Sequence, residues 1–245
     1  MIFVLLPAFN EGKNLPLVLE KVNETLKDFP HKFVIVDDGS KDKTALTIER
    51  LKRFKVQLLK HQFNQGPGAA FDTGFRWILK TAKDNDVVIS MESDVTNNSK
   101  ILTSILRKLN NDDIDVVIAG CFAPGGGLGT VPWYREVFSR MANLILQMAF
   151  PISRVYTYSS FYRGYKIKVL EQAYRKYGNA TITDKGFFSA VELLIKLSTI
   201  PGIKIEEVPM VLDWGPGKRK SGMKIGRTIR TYLKYIFKYR FYGVK

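Results

Sequence analysis

The stretch VVISMESD, residues 87–94, decides the fold, because an apolar run typical of a buried strand ends there in two carboxylates. Glu92 and Asp94 stand two residues apart at the end of that run. In an open α/β sheet the carboxyl ends of the strands face the ligand crevice, and carboxylate oxygens are ligands for hard cations such as Mg²⁺. The stretch therefore predicts a metal-nucleotide site. The alternative is an ordinary solvated turn, and the surrounding sequence decides between the two.

The first 120 residues alternate short apolar strands with amphipathic helices. The predicted strands are 3–6, 33–36, 56–59, 87–91 and 116–119, and the predicted helices are 14–28, 43–54, 66–83 and 101–109. Buried strands separated by helices of this length are typical of a mostly parallel sheet that is covered by helices on both faces. The sequence therefore predicts an α/β fold.

Composition limits the class of protein and its partners. A chain of 245 residues with 45% hydrophobic content can bury a full core. The net charge of +15 predicts anionic partners, which are nucleic acid, an acidic membrane face or phosphorylated substrates. One cysteine, Cys121, excludes an internal disulfide and a zinc-binding cysteine cluster. The apolar residues 1–6 and 142–152 are too short or too interrupted for a signal peptide or a membrane span, so the chain is not expected to cross a bilayer.

Three further loops are expected at the same edge of the sheet as Glu92 and Asp94. They are PAFNE at 7–11, DDGS at 37–40 and NQGPG at 64–68. Asp38 could accept a hydrogen bond from a base or a ribose hydroxyl, while Gly66 and Gly68 would let backbone approach a ligand at a helix start. Each loop alone is also ordinary turn chemistry. Their common register with the two acids favours one binding crevice.

In this order and spacing, PAFNE, VDDGSKDKT at 36–44, NQGPGAA at 64–70 and ESD at 92–94 resemble the family 2 glycosyltransferases of GT-A fold. The resemblance implies a Rossmann-like GT-A domain, a nucleotide-sugar donor, and a divalent cation, Mg²⁺ or Mn²⁺, on its diphosphate. Asp94 is the expected metal ligand and a catalytic residue, with Glu92 as a second, less direct ligand because its side chain is one methylene longer than the usual Asp. Thr96 could add a polar contact. The donor-binding residues it implies are Pro7, Ala8, Asn10, Glu11, Asp38, Gly66, Gly68, Glu92 and Ser93.

The second half is similar to dolichol-phosphate mannose synthases and related polyprenyl-phosphate glycosyltransferases, as far as about residue 210. The segments that carry this similarity are SRMAN at 139–143, SSFYRGY at 159–165, FSAVELL at 188–194 and EEVP at 206–209. They imply that the oxygen of a polyprenyl phosphate attacks the anomeric carbon in one inverting displacement. The acceptor-phosphate residues so implied are Ser139, Arg140, Arg163, Arg219 and Lys220, and the three arginines are also predicted to be catalytic.

Two acids of the second half could orient donor hydroxyls. They are Asp184 and Glu192, although Glu192 could equally be a helix residue paired with a nearby lysine. The sequence also departs from the pattern of these relatives. Thr157 stands where they carry an acid, Phe161 replaces a glycine, and Phe122 occupies the place of an arginine. These departures leave the sugar and the acceptor open, with GDP-mannose and UDP-glucose as the expected donors.

The C-terminal segment, residues 215–245, has ten Lys or Arg and no Asp or Glu. Apolar residues recur in it at helical spacing, so residues 223–239 are predicted to form a basic amphipathic helix. We expect this tail to bind the cytoplasmic face of an anionic membrane. Deletion of residues 226–245 is expected to weaken that binding and activity on membrane-embedded acceptor, and to spare donor binding. The alternative is a helix packed on the domain. Residues 1–214 are predicted to form the catalytic domain, with a nucleotide-binding half at 1–120 and an acceptor half at 121–214.

Three other functions compete with a lipid-phosphate acceptor. Transfer to a sugar hydroxyl would need a general-base carboxylate in the second half. A nucleotidyltransferase or a dehydrogenase is disfavoured, because no Gly-x-Gly-x-x-Gly follows the first strand. A nucleic-acid binder without enzymatic activity is supported by charge alone, and nucleic acid is not expected as a partner.

Overall fold

The computed structural model describes residues 1–93, 98–110, 113–212 and 225–244. The strands are β1 (Ile2–Ala8), β2 (His31–Asp37), β3 (Val56–Lys60), β4 (Val87–Ser90), β5 (Val116–Gly120), β6 (Gly127–Leu128), β7 (Arg163–Lys166), β8 (Ile205–Pro209) and β9 (Val211–Leu212). The helices are α1 (Leu15–Thr25), α2 (Thr44–Arg50), α3 (Pro67–Leu79), α4 (Ile101–Leu109), α5 (Trp133–Ala149), α6 (Ile167–Tyr177), α7 (Ser189–Ser198) and α8 (Ile225–Tyr242).

A seven-stranded sheet with the order β3-β2-β1-β4-β7-β5-β8 forms the centre of the molecule. Only β7 runs antiparallel to its neighbours, so the predicted mostly parallel sheet is confirmed. The chain leaves β1 towards β2 on one side and returns to β4 on the other. The carboxyl ends of β1 and β4 therefore flank a topological switch point, where open sheets of this kind bind ligands.

Successive residues of each strand supply two cores on opposite faces of the sheet, as the pleat requires. Phe3 and Leu5 of β1 belong to a core with residues of α3, α6 and α7. Val4 and Leu6 belong to the other core, with residues of α1, α2 and α4. Both faces are thus covered by helices, which confirms the predicted layering.

The predicted elements are present, but their ends shift by a few residues. The third helix begins at Pro67 rather than at residue 66, because Gly66 has a φ of +99°, which lies outside the helical region. The second helix already ends at Arg50, whereas the prediction extended it to residue 54. The C-terminal helix is confirmed at Ile225–Tyr242, and the start of the tail lies outside the described residues.

The two predicted halves of the domain share one sheet. β7, from the second half, lies between β4 and β5 of the first half. The division at residue 120 stays a prediction, and the boundary at 214 lies outside the described residues. In the part of the chain that the structure describes, no helix has the length and hydropathy of a membrane span.

Candidate active site

A cavity of about 230 Å³ lies at the switch point, at the carboxyl ends of β1 and β4. Its walls include six of the predicted donor residues, namely Pro7, Ala8, Glu11, Asp38, Glu92 and Ser93. A larger cleft of about 740 Å³ lies at the opposite edge of the sheet, beside Met1 and Asp86. We assign the donor to the smaller cavity, because ligands of open α/β sheets bind at the carboxyl ends of the strands and the predicted residues meet there.

Asn10 joins the first loop to the second. Its backbone amide donates to Ser40 Oγ at 2.9 Å, and its side-chain oxygen accepts from the amide of Lys41 at 2.9 Å. Asn10 has a positive φ of 57°, a conformation that asparagine tolerates better than most residues. The neighbouring Glu11 amide donates to Thr44 Oγ1 at 2.9 Å. These bonds explain why the first and second motifs form one continuous wall.

Asp38 positions the third loop. It is 3% exposed, and its carboxylate accepts from the amides of Gln65 at 2.9 Å and Gly66 at 2.8 Å. His61 Nδ1 lies 2.7 Å from the same carboxylate, and His61 Nε2 lies 2.9 Å from Thr73 Oγ1. Asp38 borders the cavity as predicted, and it also supports the loop in front of α3. Contact of Asp38 with base or ribose stays a prediction.

Gly66 and Gly68 do allow a close backbone approach, and the approaching backbone is that of residues 184–185. A Cβ at Gly66 would lie 2.2 Å from the carbonyl oxygen of Lys185, and one at Gly68 would lie 2.1 Å from that of Asp184. The Gly68 amide donates to Lys185 O at 3.0 Å. The glycines are therefore required by packing within the chain. Their contact with a donor stays a prediction.

Of the two strand-end acids, Glu92 lies within the described residues. Glu92 is half-buried in the cavity wall, and Ser93 Oγ donates to Pro7 O at 2.6 Å, which fixes the end of β4 against the first loop. Asp94 and Thr96 lie outside the described residues. Within the described ranges, no three Asp, Glu, His or Cys side chains are grouped as a metal site. The oxygen donors on the cavity wall, Glu11 and Glu92 among them, suit a hard cation such as Mg²⁺ or Mn²⁺.

Arg163 is buried on β7, at 1% exposure. Its terminal nitrogens donate to Ala190 O and Tyr158 O, both at 2.7 Å. Its Nε is buried and has no hydrogen-bond partner among the described residues, and no carboxylate there lies within ion-pair distance. The guanidinium thus joins β7 to α7 and brings a positive charge into the acceptor half, where it also acts on the Glu207 carboxyl and favours its charged form.

Arg140 lies in a different environment on α5. Its side chain is 56% exposed, pairs with Glu136 at 2.8 Å and covers the ring of Phe122 at 5.5 Å. Ser139 is half-buried beside it. The structure does not join Arg140 to Arg163 through any shared contact among the described residues. Arg219 and Lys220 lie outside the described residues, so the predicted acceptor roles of these side chains stay predictions.

Family and structural comparisons agree with this geometry. The family model described as glycosyl transferase family 2 matches residues 3–173, which include all of the cavity loops except the segment around Phe187. The chain belongs to glycosyl transferase family 2. The predicted family, fold class and enzyme class are thereby confirmed.

Two sequence relatives of this family 2 glycosyltransferase carry specific names. The polyprenol monophosphomannose synthase of Mycolicibacterium smegmatis is 27% identical over 210 residues, which cover 84% of this chain and 75% of that protein. The dolichol-phosphate mannosyltransferase of Pyrococcus furiosus is 24% identical over 237 residues. That match covers 96% of this chain but spans 62% of the length of the Pyrococcus protein.

Solved structures support the fold. Glucosyl-3-phosphoglycerate synthase from Mycobacterium tuberculosis, in complex with Mn²⁺, UDP and phosphoglyceric acid, matches with a TM-score of 0.68 and 16% identity over 96% of this chain and 78% of that chain. The UDP complex of the same enzyme matches with a TM-score of 0.64 and 18% identity over 97% of this chain and 80% of that chain. At this identity the likeness concerns the fold of the family 2 glycosyltransferase.

Sequence reasoning missed one acid of this family 2 glycosyltransferase, Glu207 on β8. Its carboxylate accepts from the amides of Tyr156 at 2.8 Å and Thr157 at 2.5 Å, and it lies over Gly120, where a Cβ would be 2.2 Å from Oε2. Burial raises the pKa of Glu207 to about 7, against the opposing effect of the donors at Thr157 and Tyr156. An acid at this place could have been suspected, since Thr157 stands where polyprenyl-phosphate relatives carry one.

Glu192 is fully buried at the start of α7. Its carboxylate accepts from the amides of Thr183 and Asp184, each at 2.8 Å, and pairs with Lys196 Nζ at 2.7 Å. The lysine pair is the alternative that the sequence left open. Burial raises the pKa of a carboxyl group, but here the backbone donors and Lys196 outweigh it and hold the pKa of Glu192 below its usual range. Its predicted contact with donor hydroxyls stays a prediction.

Proposed function

We propose that this glycosyltransferase moves a hexose from a nucleotide sugar to a polyprenyl phosphate at a membrane surface. The donor is GDP-mannose or UDP-glucose, and the names of the two relatives favour mannose. The observation that carries the lipid acceptor is an apolar face on α5. Its large side chains are each at least 40% exposed, and they are Trp133, Tyr134, Val137, Phe138, Met141, Leu144, Ile145 and Met148. A contiguous exposed apolar face of this size is typical of a lipid or protein contact.

The donor occupies the cavity at the switch point in this proposal. The first loop and Asp38 hold the base and ribose, and Asp94 with Glu92 holds the metal at the diphosphate. A divalent cation bound there would neutralise the charge that develops on the departing nucleotide. Ser93, which bonds to Pro7 O, keeps the acidic strand end against the nucleotide loop.

The acceptor phosphate needs little help from a base, because a phosphate monoester is already anionic near neutral pH. The protein must instead hold its oxygen in line with the anomeric carbon. Arg140 is exposed on the apolar helix and can bind a phosphate at the lipid surface. The buried guanidinium of Arg163 on β7 adds positive electrostatic potential in the acceptor half. Ser139, Arg219 and Lys220 complete the proposed phosphate contacts, and the single displacement inverts the anomeric configuration.

Helix α8 extends the proposed lipid face. It contacts α5, and Leu233, Phe237 and Phe241 are at least 57% exposed at intervals of one helical turn. The ten basic residues of the tail would favour an anionic surface, at about 1 kcal/mol for each one near the lipid. We therefore propose peripheral binding to the cytoplasmic face of a membrane.

The acceptor is tested by the chemical form of the product. The protein is incubated with Mn²⁺, polyprenyl phosphate in detergent and radiolabelled GDP-mannose or UDP-glucose. Chloroform-soluble label that mild acid releases supports the proposal, because a glycosyl phosphate ester is acid-labile. Label that enters a polymer, or that appears equally without polyprenyl phosphate, contradicts it.

One observation favours a second candidate, transfer to a sugar hydroxyl. That reaction needs a general base in the second half, and the Glu207 carboxyl, with its pKa of about 7, lies there on β8. Under this alternative, Glu207→Gln abolishes polymer formation. Under the lipid-phosphate proposal, the same variant keeps most of its transfer to polyprenyl phosphate.

A further inference from the structure

Helix α8 packs on the catalytic domain through a row of tyrosines. Tyr235 stacks on Phe188, with ring centroids 4.4 Å apart and an angle of 15° between the planes. Tyr232 meets the same ring edge-on at 5.2 Å. One turn beyond Tyr235, Tyr239 is 4% exposed and its hydroxyl donates to Glu192 Oε1 at 2.9 Å. The helix therefore has a docked face as well as its exposed apolar face.

Glu192 connects α8 to the segment 183–188, which precedes α7 in the chain. Its Oε2 accepts from two consecutive amides of that segment, and its Oε1 accepts from Thr183 Oγ1 at 2.6 Å. A fully buried carboxylate requires such donors, because an unsatisfied charge is strongly unfavourable there. Tyr239 supplies one of them from outside the segment. Loss of its hydroxyl would leave Oε1 with fewer donors and would loosen the group that holds the segment in place.

The segment 183–188 forms a wall of the donor cavity. Phe187 lines the cavity, and its ring lies 6.3 Å from that of Phe161 on the same cavity wall. Lys185 O accepts from the Gly68 amide at 3.0 Å, at the start of α3. A displacement of this segment would therefore alter both the aromatic wall and the glycine loop that faces the proposed donor.

We infer that α8 positions the donor-cavity wall, with Tyr239 and Glu192 as positioning residues that connect the helix to segment 183–188. This inference rests on the proposed function only in taking the cavity as the nucleotide site. It reverses the expectation that removal of the tail spares donor binding. It also means that one helix serves two surfaces, since its tyrosine face holds the donor wall while Leu233, Phe237 and Phe241 face outward.

The test compares Tyr239→Phe with Tyr177→Phe in the full chain. Both variants keep the ring and lose one hydroxyl hydrogen bond, but the Tyr177 hydroxyl bonds to Thr199, at the far end of α7. Amide hydrogen exchange is measured for residues 183–188 and 66–70, and affinities for UDP and GDP are measured with Mn²⁺ by calorimetry. We expect Tyr239→Phe to speed exchange in both segments and to weaken nucleotide binding about 2- to 10-fold, with the upper limit set by the free energy of the one lost hydrogen bond. Tyr177→Phe should change neither measurement.

The result that overturns the inference is a Tyr239→Phe variant with a lower melting temperature but unchanged exchange at 183–188 and unchanged nucleotide affinity. That result would make Tyr239 a merely structural contact. Failure of the proposed function is seen separately. If the wild-type protein binds neither nucleotide, the donor assignment is wrong. If it makes no lipid-linked sugar, the proposed acceptor is wrong. In both cases, hydrogen exchange at residues 183–188 still decides whether α8 positions that wall.

Discussion

The donor side and the acceptor side of this molecule differ in what their hydrogen bonds join. On the donor side, the side chains of each motif bond to the next motif at the same edge of the sheet, as Asn10 does to Lys41 and Asp38 does to Gly66. On the acceptor side, the buried groups bond to backbone outside the sequence motifs, as the Glu207 carboxylate does to the amides of Tyr156 and Thr157. The donor side can therefore be recognised from short motifs, whereas the acceptor side depends on the packing of the whole chain.

The largest expected effect is on the donor side, at the strand-end acids. Asp94→Asn should reduce turnover by about 100-fold or more while the melting temperature stays near that of the wild type, since a neutral amide is a poor ligand for a hard cation at the departing diphosphate. Glu92→Gln should be milder. Steady-state kinetics over a range of Mn²⁺ concentrations measures both.

Two results would break this part of the comparison. Near-normal turnover of Asp94→Asn, or full activity in excess chelator, would exclude metal-assisted departure. A greater loss in Glu92→Gln than in Asp94→Asn would exchange the two roles. Substitution of the acceptor-side arginines should leave the Mn²⁺ dependence of turnover unchanged.

The next effect concerns the lipid face of the acceptor side. Replacement of Met141 and Leu144 together by Ser should weaken binding to anionic vesicles by about 10-fold or more, because each buried apolar side chain contributes about 1.5–3 kcal/mol when it leaves water. Leu46→Ser on α2 is the matched control, since Leu46 and Leu144 are both 54% exposed. Cosedimentation measures the binding.

Salt should weaken the same binding. An increase from about 0.05 to 0.5 M shortens the Debye length severalfold and screens the basic tail. Vesicle binding that is equal in the double variant and in Leu46→Ser would show that the α5 face contacts something other than lipid. Vesicle binding that does not change with salt concentration would exclude a role for the ten basic residues in membrane binding.

A smaller effect separates the two arginines. Arg140→Ala should raise KM for polyprenyl phosphate about 10-fold, the effect of losing a charge-assisted hydrogen bond at an exposed site, with little change in stability. Arg50→Ala, which removes an exposed arginine from α2, is the control. An unchanged KM would show that the acceptor phosphate does not bind at Arg140 on α5. Arg163 would then be the remaining candidate of the two described arginines.

The smallest effect is the pH dependence that Glu207 contributes. Its pKa is raised from 4.5 to about 7, so the folded protein holds a proton that the unfolded chain has already released. The stability from this proton is fully present below the unfolded pKa and is lost as pH rises through about 7. Glu207→Gln cannot titrate, so the melting temperature of this variant, relative to that of the wild type, should rise by on the order of 5 °C between pH 5 and 8. A difference that does not vary with pH would show that Glu207 has an ordinary pKa.

The sequence by itself determined the strand and helix order, the mostly parallel sheet and the converging loops. Apolar runs of strand length report burial on both faces, and parallel strands place their carboxyl ends together whatever the side chains are. For the same reason Asp38 and Glu92 could be placed on one cavity before the structure was known. Their binding roles and those of Asp94, Ser139, Arg140, Arg163, Arg219 and Lys220 remain predictions.

Only the tertiary structure decided which groups pair across the chain. Gly66 and Gly68 signal a close backbone approach, but nothing near them in sequence indicates that residues 184–185 are the approaching backbone. The charge and periodicity of the tail predict a basic amphipathic helix at a membrane. Its docking on the catalytic domain depends on the tertiary structure, which places Glu192 within hydrogen-bond distance of the Tyr239 hydroxyl. Local patterns report whether a side chain is buried, while its partner depends on how α7, α8 and the sheet pack together.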